Sequence, residues 1–216
     1  MANLAIHGAT PVRTESFPTW PTHDDRDLKA FEAVYQSGKW GVGGPQVPEF
    51  ERRFAEFQGA KYGVCVNSGT TALYIALKAA GVGLGDEIIT TPYTFQATVV
   101  AILMANGVPV FVDTLPDGFN INTAKVEAAI TPRTKVILPV HIAGYPADMD
   151  AIVEIANRHN LLVVEDCAQA QGATQRGAHA GTFGAISGTS FYPGKNLGAY
   201  GDAGAVLTDD EGLARR

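Results

Sequence analysis

Lys195 lies in the stretch Thr189-Ser190-Phe191-Tyr192-Pro193-Gly194-Lys195-Asn196-Leu197-Gly198, after an apolar strand-like run and ahead of Gly198, Gly201 and Gly204. A lysine after Pro-Gly is ordinarily a solvated turn residue. Here the surrounding glycines allow backbone to pass close to a bound ligand. An amine so placed suits Schiff-base chemistry with a carbonyl if it is partly neutral, and burial near other cationic groups lowers its pKa as required. Gly194-Lys195 also invites a nucleotide-binding P-loop reading. That reading fails, because Gly188 is one residue too far upstream and Asn196 replaces the magnesium-binding Ser or Thr.

Other stretches end strands with residues of comparable interest. Leu161-Leu162-Val163-Val164-Glu165-Asp166-Cys167-Ala168-Gln169 closes a buried-type strand with an acid. Asp166 can serve as a helix cap or an ion-pair partner. It can also face a ring nitrogen, keeping a pyridine protonated and making it a better electron sink. Gln169, three residues on, would be near the same ring. In Val64-Cys65-Val66-Asn67-Ser68-Gly69-Thr70-Thr71-Ala72-Leu73 a strand turns through small residues into a helix. The exposed amides and positive dipole at such a start suit a phosphate, the alternative being a plain N-cap. Thr91-Pro92-Tyr93-Thr94-Phe95 sets an aromatic just past a strand end, where Phe95 either stacks on a planar ligand or fills the core. Ligands of open α/β sheets bind beyond the carboxyl ends of the strands, which is the rule that singles out these places.

The elements that must position these residues follow from periodicity. Residues 1–25, rich in Pro, Thr and His, read as an arm over the surface. Leu28, Phe31, Val34 and Tyr35 recur at helical spacing up to Ser37-Gly38, and Gly41-Val42-Gly43-Gly44-Pro45 reads as a flexible loop. Phe50, Phe54 and Phe57 then mark one face of a helix closed by Gly59. Strands are expected at 62–66, 87–91, 108–112, 135–140, 161–165, 185–191 and 203–208, with helices at 71–80, 95–106, 122–130 and 148–159 between them. Near-continuous apolar strands separated by amphipathic helices predict an α/β fold: a three-layer sandwich around a mostly parallel, seven-stranded sheet, within residues 26–216. Asp209 to Arg216 reads as the acidic first turn of a helix without a C-terminal cap, as expected of a fragment of a longer protein.

Composition narrows the classes. The 216 residues are 46% apolar and 18% charged, as in globular domains, and suffice for a sizeable core. A formal net charge of -6 leaves no basic face for a nucleic-acid backbone. No apolar run is long enough for a bilayer, and Met1-Ala2-Asn3-Leu4 lacks a secretory pattern. Cys65 and Cys167, both in apolar strand-like segments, read as buried free thiols in a reducing compartment. A cytoplasmic protein is expected, and no metal site is assigned.

The ordered motifs "NSGTTAL", "PYTFQAT", "VEDCAQAQGA" and "SFYPGKNLGAYGDAGAV" resemble the DegT/DnrJ/EryC1/StrS sugar aminotransferases, from about Gly41 to the end of the chain. The resemblance implies an aspartate-aminotransferase-like large domain, pyridoxal 5'-phosphate (PLP) as cofactor, and a homodimer with sites at the subunit interface. It implies that Lys195 holds PLP as a Schiff base and shuttles the proton between substrate and cofactor. Asp166 would pair with the pyridinium nitrogen, Phe95 would stack on the ring, and Gln169 would lie near its hydroxyl. Gly69 and Thr70 amides with the Ser190 hydroxyl would hold the phosphate. Glutamate or glutamine would donate the amine, turning PLP into pyridoxamine phosphate (PMP), and a keto sugar would accept it.

Relatives with histidine in place of this lysine are dehydratases, so Lys195 favours transamination. "SFYPGKNLGA" is most similar to enzymes of nucleotide-linked deoxysugars. "IHGATPVR", "FPTWP" and "PVHIAGYPADMDAI" resemble relatives acting on inososes or making aminohydroxybenzoate. A non-catalytic, PLP-binding regulatory protein is the alternative from another class. His141, at a strand end, is read as structural rather than substrate-binding. The resemblance implies a continuation into a smaller C-terminal domain, with part of the phosphate site supplied by a segment beyond Arg216 in the neighbouring subunit.

Overall fold

The computed structural model describes residues 4–41 and 43–216; Met1-Ala2-Asn3 and Val42 of the Gly41 loop lie outside the described residues. Residues 4–24 are almost entirely exposed and hold only a short 3-10 turn, Ala5–His7. Helix α1 (Asp25–Ser37) starts at a capping box, in which the Asp24 carboxylate accepts from Arg26 N–H and Asp27 accepts from Asp24 N–H. Helix α2 (Gln46–Gln58) ends at Gly59, whose φ of 73° is the left-handed stop that glycine adopts without strain.

The main sheet contains β1 (Tyr62–Val66), β2 (Glu87–Thr90), β3 (Val108–Phe111), β4 (Thr134–Ile137) and β5 (Leu162–Asp166). A two-stranded hairpin, β6 (Thr174–Gln175) and β7 (Ala178–His179), interrupts the series before β8 (Ile186–Ser190) and β9 (Gly204–Thr208). Between them run α3 (Gly69–Ala79), α4 (Ala97–Met104), α5 (Thr123–Val126) and α6 (Met149–His159), with α7 (Glu211–Ala214) last. The order is β1-β9-β8-β5-β4-β2-β3, seven strands as expected. All are parallel except β9, which is antiparallel to both β1 and β8. Its apolar run does not reveal its direction. Residues 191–203 contain no crossover helix, so the chain turns back beside β8. Gly204 therefore pairs with Ser190 and Val66, and β9 begins at the edge where its neighbours end.

Strand residues alternate between two cores. Ile88, Val136, Val164 and Val206 face Leu73, Leu77 and Ile102 of α3 and α4. Ile89, Ile137 and Val163 face Met149, Ile152 and Ile155 of α6. At the β1 and β9 side, Phe54 of α2 joins Phe191, Ala205 and Leu207, with the Phe54 and Phe191 rings edge-on at 5.0 Å. Cys167 is buried as expected. Cys65 is only half-buried, because its strand is the sheet edge, and desolvation pushes its thiol up to about 11. No helix among the described residues is long and apolar enough to cross a membrane.

Candidate active site

A cavity of about 460 Å³ opens at the carboxyl edge of the parallel strands. Gly69, Thr70, Phe95, Asp166, Gln169, Ser190 and Lys195 all line it, although they span more than a hundred residues of chain. Thr94, Val140, Tyr192 and Asp202 line it as well. Asp202 lies just ahead of β9, so the reversed strand brings it to the same edge.

At one end is the start of α3. Ser68 caps the helix, its Oγ accepting from Thr71 N–H at 3.1 Å. That leaves the first-turn amides of Gly69 and Thr70 without an intrahelical acceptor, beside the positive end of the helix dipole. Helix and strand approach so closely that a Cβ on Gly69 would fall 2.6 Å from Ser190 Cβ. Glycine is thus required where α3 meets β8, and Ser190 is brought against the free amides.

Asp166 closes β5 at 4% exposure. The segment after it is a turn, so the residue caps no helix. Its Oδ2 accepts from Thr98 Oγ at 2.7 Å and its Oδ1 from Ala168 N–H at 3.1 Å. Burial pushes its carboxyl up, against the lowering effect of these bonds and of His141 and Lys195 nearby. Gln169 is oriented by Ala143 N–H, which donates to its Oε1 at 2.7 Å and leaves its amide N–H groups free. Phe95 precedes α4 rather than entering it and is 63% exposed, so it is not a core aromatic.

Lys195 is half-buried in a turn, with its own N–H donating to Tyr192 O at 2.8 Å. Gln171, unmarked in the sequence, and Asn196, read there only as an argument against a P-loop, clamp this turn. Asn196 Nδ2 donates to Gln171 O at 2.8 Å, and Gln171 Nε2 donates to Thr189 Oγ and Ser190 O. Thr98 was missed too; its only signal in sequence is a hydroxyl four residues after Thr94.

His141 is structural, as expected. Its Nδ1 accepts from Ala147 N–H at 3.1 Å, so Nε2 carries the proton and donates to Glu165 Oε2 at 3.0 Å. Glu165 also accepts from the N–H groups of Gly181, Phe183 and Gly184. Both side chains are fully buried and satisfied. Although Cys167 lies close to them, the polar atoms of this pair are already engaged.

The model of the DegT/DnrJ/EryC1/StrS aminotransferase family matches residues 21–216. The chain belongs to this family. A pleiotropic regulatory protein of Geobacillus stearothermophilus is 48% identical over 88% of this chain and 50% of its own length. A putative L-glutamine:3-amino-2,3-dideoxy-scyllo-inosose aminotransferase of Streptoalloteichus tenebrarius is 46% identical over 97% of this chain and 51% of its own. The solved structure of NtdA from Bacillus subtilis with bound cofactor PMP superposes with a TM-score of 0.82 at 38% identity, covering 94% of this chain and 47% of NtdA. This family member spans about half the length of the curated relatives it matches.

The cavity fits the phosphorylated pyridine cofactor of that family. It offers two unpaired helix amides beside a hydroxyl for an anion, a buried carboxylate for a ring N–H, an exposed aromatic face, and an amine.

Proposed function

We propose that this chain carries the cofactor site of a PLP-dependent aminotransferase that moves an amino group from glutamate or glutamine to the keto group of a sugar or cyclitol. The observation that carries the proposal is the convergence of Lys195 and Asp166, from separate strand ends, on one cavity with the free amides of Gly69 and Thr70. PLP, when bound, supplies a carbonyl carbon that takes up an amine and a ring that withdraws electrons from it. Gly69 and Thr70 N–H and the Ser190 hydroxyl hold the phosphate. Asp166 accepts the ring N–H and so keeps the ring an electron sink. Phe95 covers a ring face, and the free amide N–H groups of Gln169 meet the ring hydroxyl. Lys195 Nζ would hold the cofactor, and its amine is the group placed to accept a proton from the substrate's amine-bearing carbon.

The test is a visible absorption spectrum with PLP, before and after L-glutamine or L-glutamate. A band that appears and then bleaches with donor supports amine transfer, and Lys195→Ala is expected to abolish both changes. A band that ignores donors favours a binding-only regulatory role, the reading to which the Geobacillus relative's name points. Mass spectrometry with a keto cyclitol and a nucleotide-linked keto sugar then separates the two acceptor classes. The nucleotide-linked class rests on the Lys195 motif. The cyclitol class is supported by the scyllo-inosose relative, whose similarity extends over 97% of the chain.

The family's homodimer is part of the proposal. It is supported by α1, which buries no residue and exposes Leu28, Phe31 and Tyr35.

A further inference from the structure

Asp166 meets the cavity through a short chain of hydroxyls, and the direction of that chain follows from valence alone. A carboxylate only accepts hydrogen bonds. Thr98 Oγ, 2.7 Å from Asp166 Oδ2, must therefore donate its proton to it when Asp166 is ionised. Having given its proton away, Thr98 can only accept from Thr94 Oγ, which lies 2.7 Å from it. Thr98 is fully buried, whereas Thr94 lines the cavity. Ala168 N–H occupies a position on the other carboxylate oxygen. With one bond fixed on each oxygen, the carboxylate cannot rotate freely, and its remaining lone pairs have a set direction.

We propose that Thr98, supported by Thr94, is the positioning residue that orients Asp166 and favours its ionised form toward the ring nitrogen of the bound cofactor. The inference rests on the proposed function for its purpose but not for its geometry. The titratable groups facing Asp166 are His141, from the turn after β4, and Lys195, from the turn after β8; Thr98 is the hydroxyl donor from α4. A charge-assisted hydrogen bond from a buried hydroxyl is the kind whose loss is felt in a carboxylate's proton affinity.

The experiment is a carbon-13 NMR titration of the Asp166 carboxyl in the protein without cofactor, the signal being assigned by its loss in Asp166→Asn. Thr98→Val keeps the shape and removes the hydroxyl. It is expected to raise the proton affinity of Asp166 by about tenfold, one pKa unit, and Thr98→Ser is expected to restore the native titration. An unmoved midpoint in Thr98→Val overturns the proposal. So does a Thr98→Ser titration that matches Thr98→Val, because the hydroxyl that serine retains would then not be what sets the proton affinity. If Thr98→Val does not fold, Thr94→Val decides: a smaller shift in the same direction supports the relay, and none overturns it. Failure of the native protein to bind PLP would sink the proposed function while leaving this titration intact as a test.

Discussion

Asp166 carries a conflict that the rest of the site resolves. Burial raises its pKa above the ordinary 3.8, so the folded chain without cofactor holds the proton more tightly than the unfolded one does. Stability therefore falls as pH rises through the window from that ordinary value up to the raised one, and the loss is complete above it. Asp166→Asn cannot ionise. Without cofactor, this variant is expected to be more stable than the native protein at neutral pH, with the advantage vanishing in acid below the ordinary carboxyl range. Urea midpoints across pH check this, and a variant less stable at neutral pH would contradict it. Its amide can donate to Thr98 and reverse the hydroxyl chain, so no buried donor is stranded. The same variant is expected to lose the electron-sink function, a trade of stability for chemistry that is common at active sites.

At the scale of elements, the site depends on how loops are tied to strand ends. Glu165 points away from the cavity and accepts from His141 and three backbone N–H groups of the loop before β8. His141 in turn holds the 141–147 turn, whose Ala143 orients Gln169. Glu165→Ala would leave buried donors without acceptors, at a cost of roughly 4 kcal/mol. A guanidinium denaturation curve is expected to show that loss, and a midpoint close to the native one would rule out this role. A second contact sets the helix against the sheet. A Cβ on Gly188 would lie 3.0 Å from the backbone nitrogen of Leu73. Gly188→Ala is expected to displace α3, destabilise the fold by about 1–3 kcal/mol, and weaken PLP binding through Gly69 and Thr70. Fluorescence titration of PLP against the folded variant measures the second effect.

At the scale of the whole molecule, α1 exposes Leu28, Phe31 and Tyr35, and the arm exposes Phe17 and Trp20. The proposed homodimer buries them. Sedimentation velocity is expected to give a dimer, and Phe31→Asp to disperse it; a monomer in the native protein would defeat the prediction.

Much of this was legible in the sequence because its signals are local. Apolar runs at strand length and helical spacing between them specify the three-layer α/β class, and Ser68, Asn122 and Asp148 announce helix starts by their capping chemistry. Lys195, Asp166 and Gly69 stand out because each follows a strand at a position where side chains or amides face outward. The sequence alone did not determine the reversal of β9, since an apolar strand reads the same in either direction. Nor did it mark Thr98, Gln171 or Glu165, whose importance lies in partners up to 68 residues away. Hydrogen bonds between distant segments leave no periodicity in the chain, so only the tertiary structure decides which ordinary hydroxyl or carboxylate becomes part of the site.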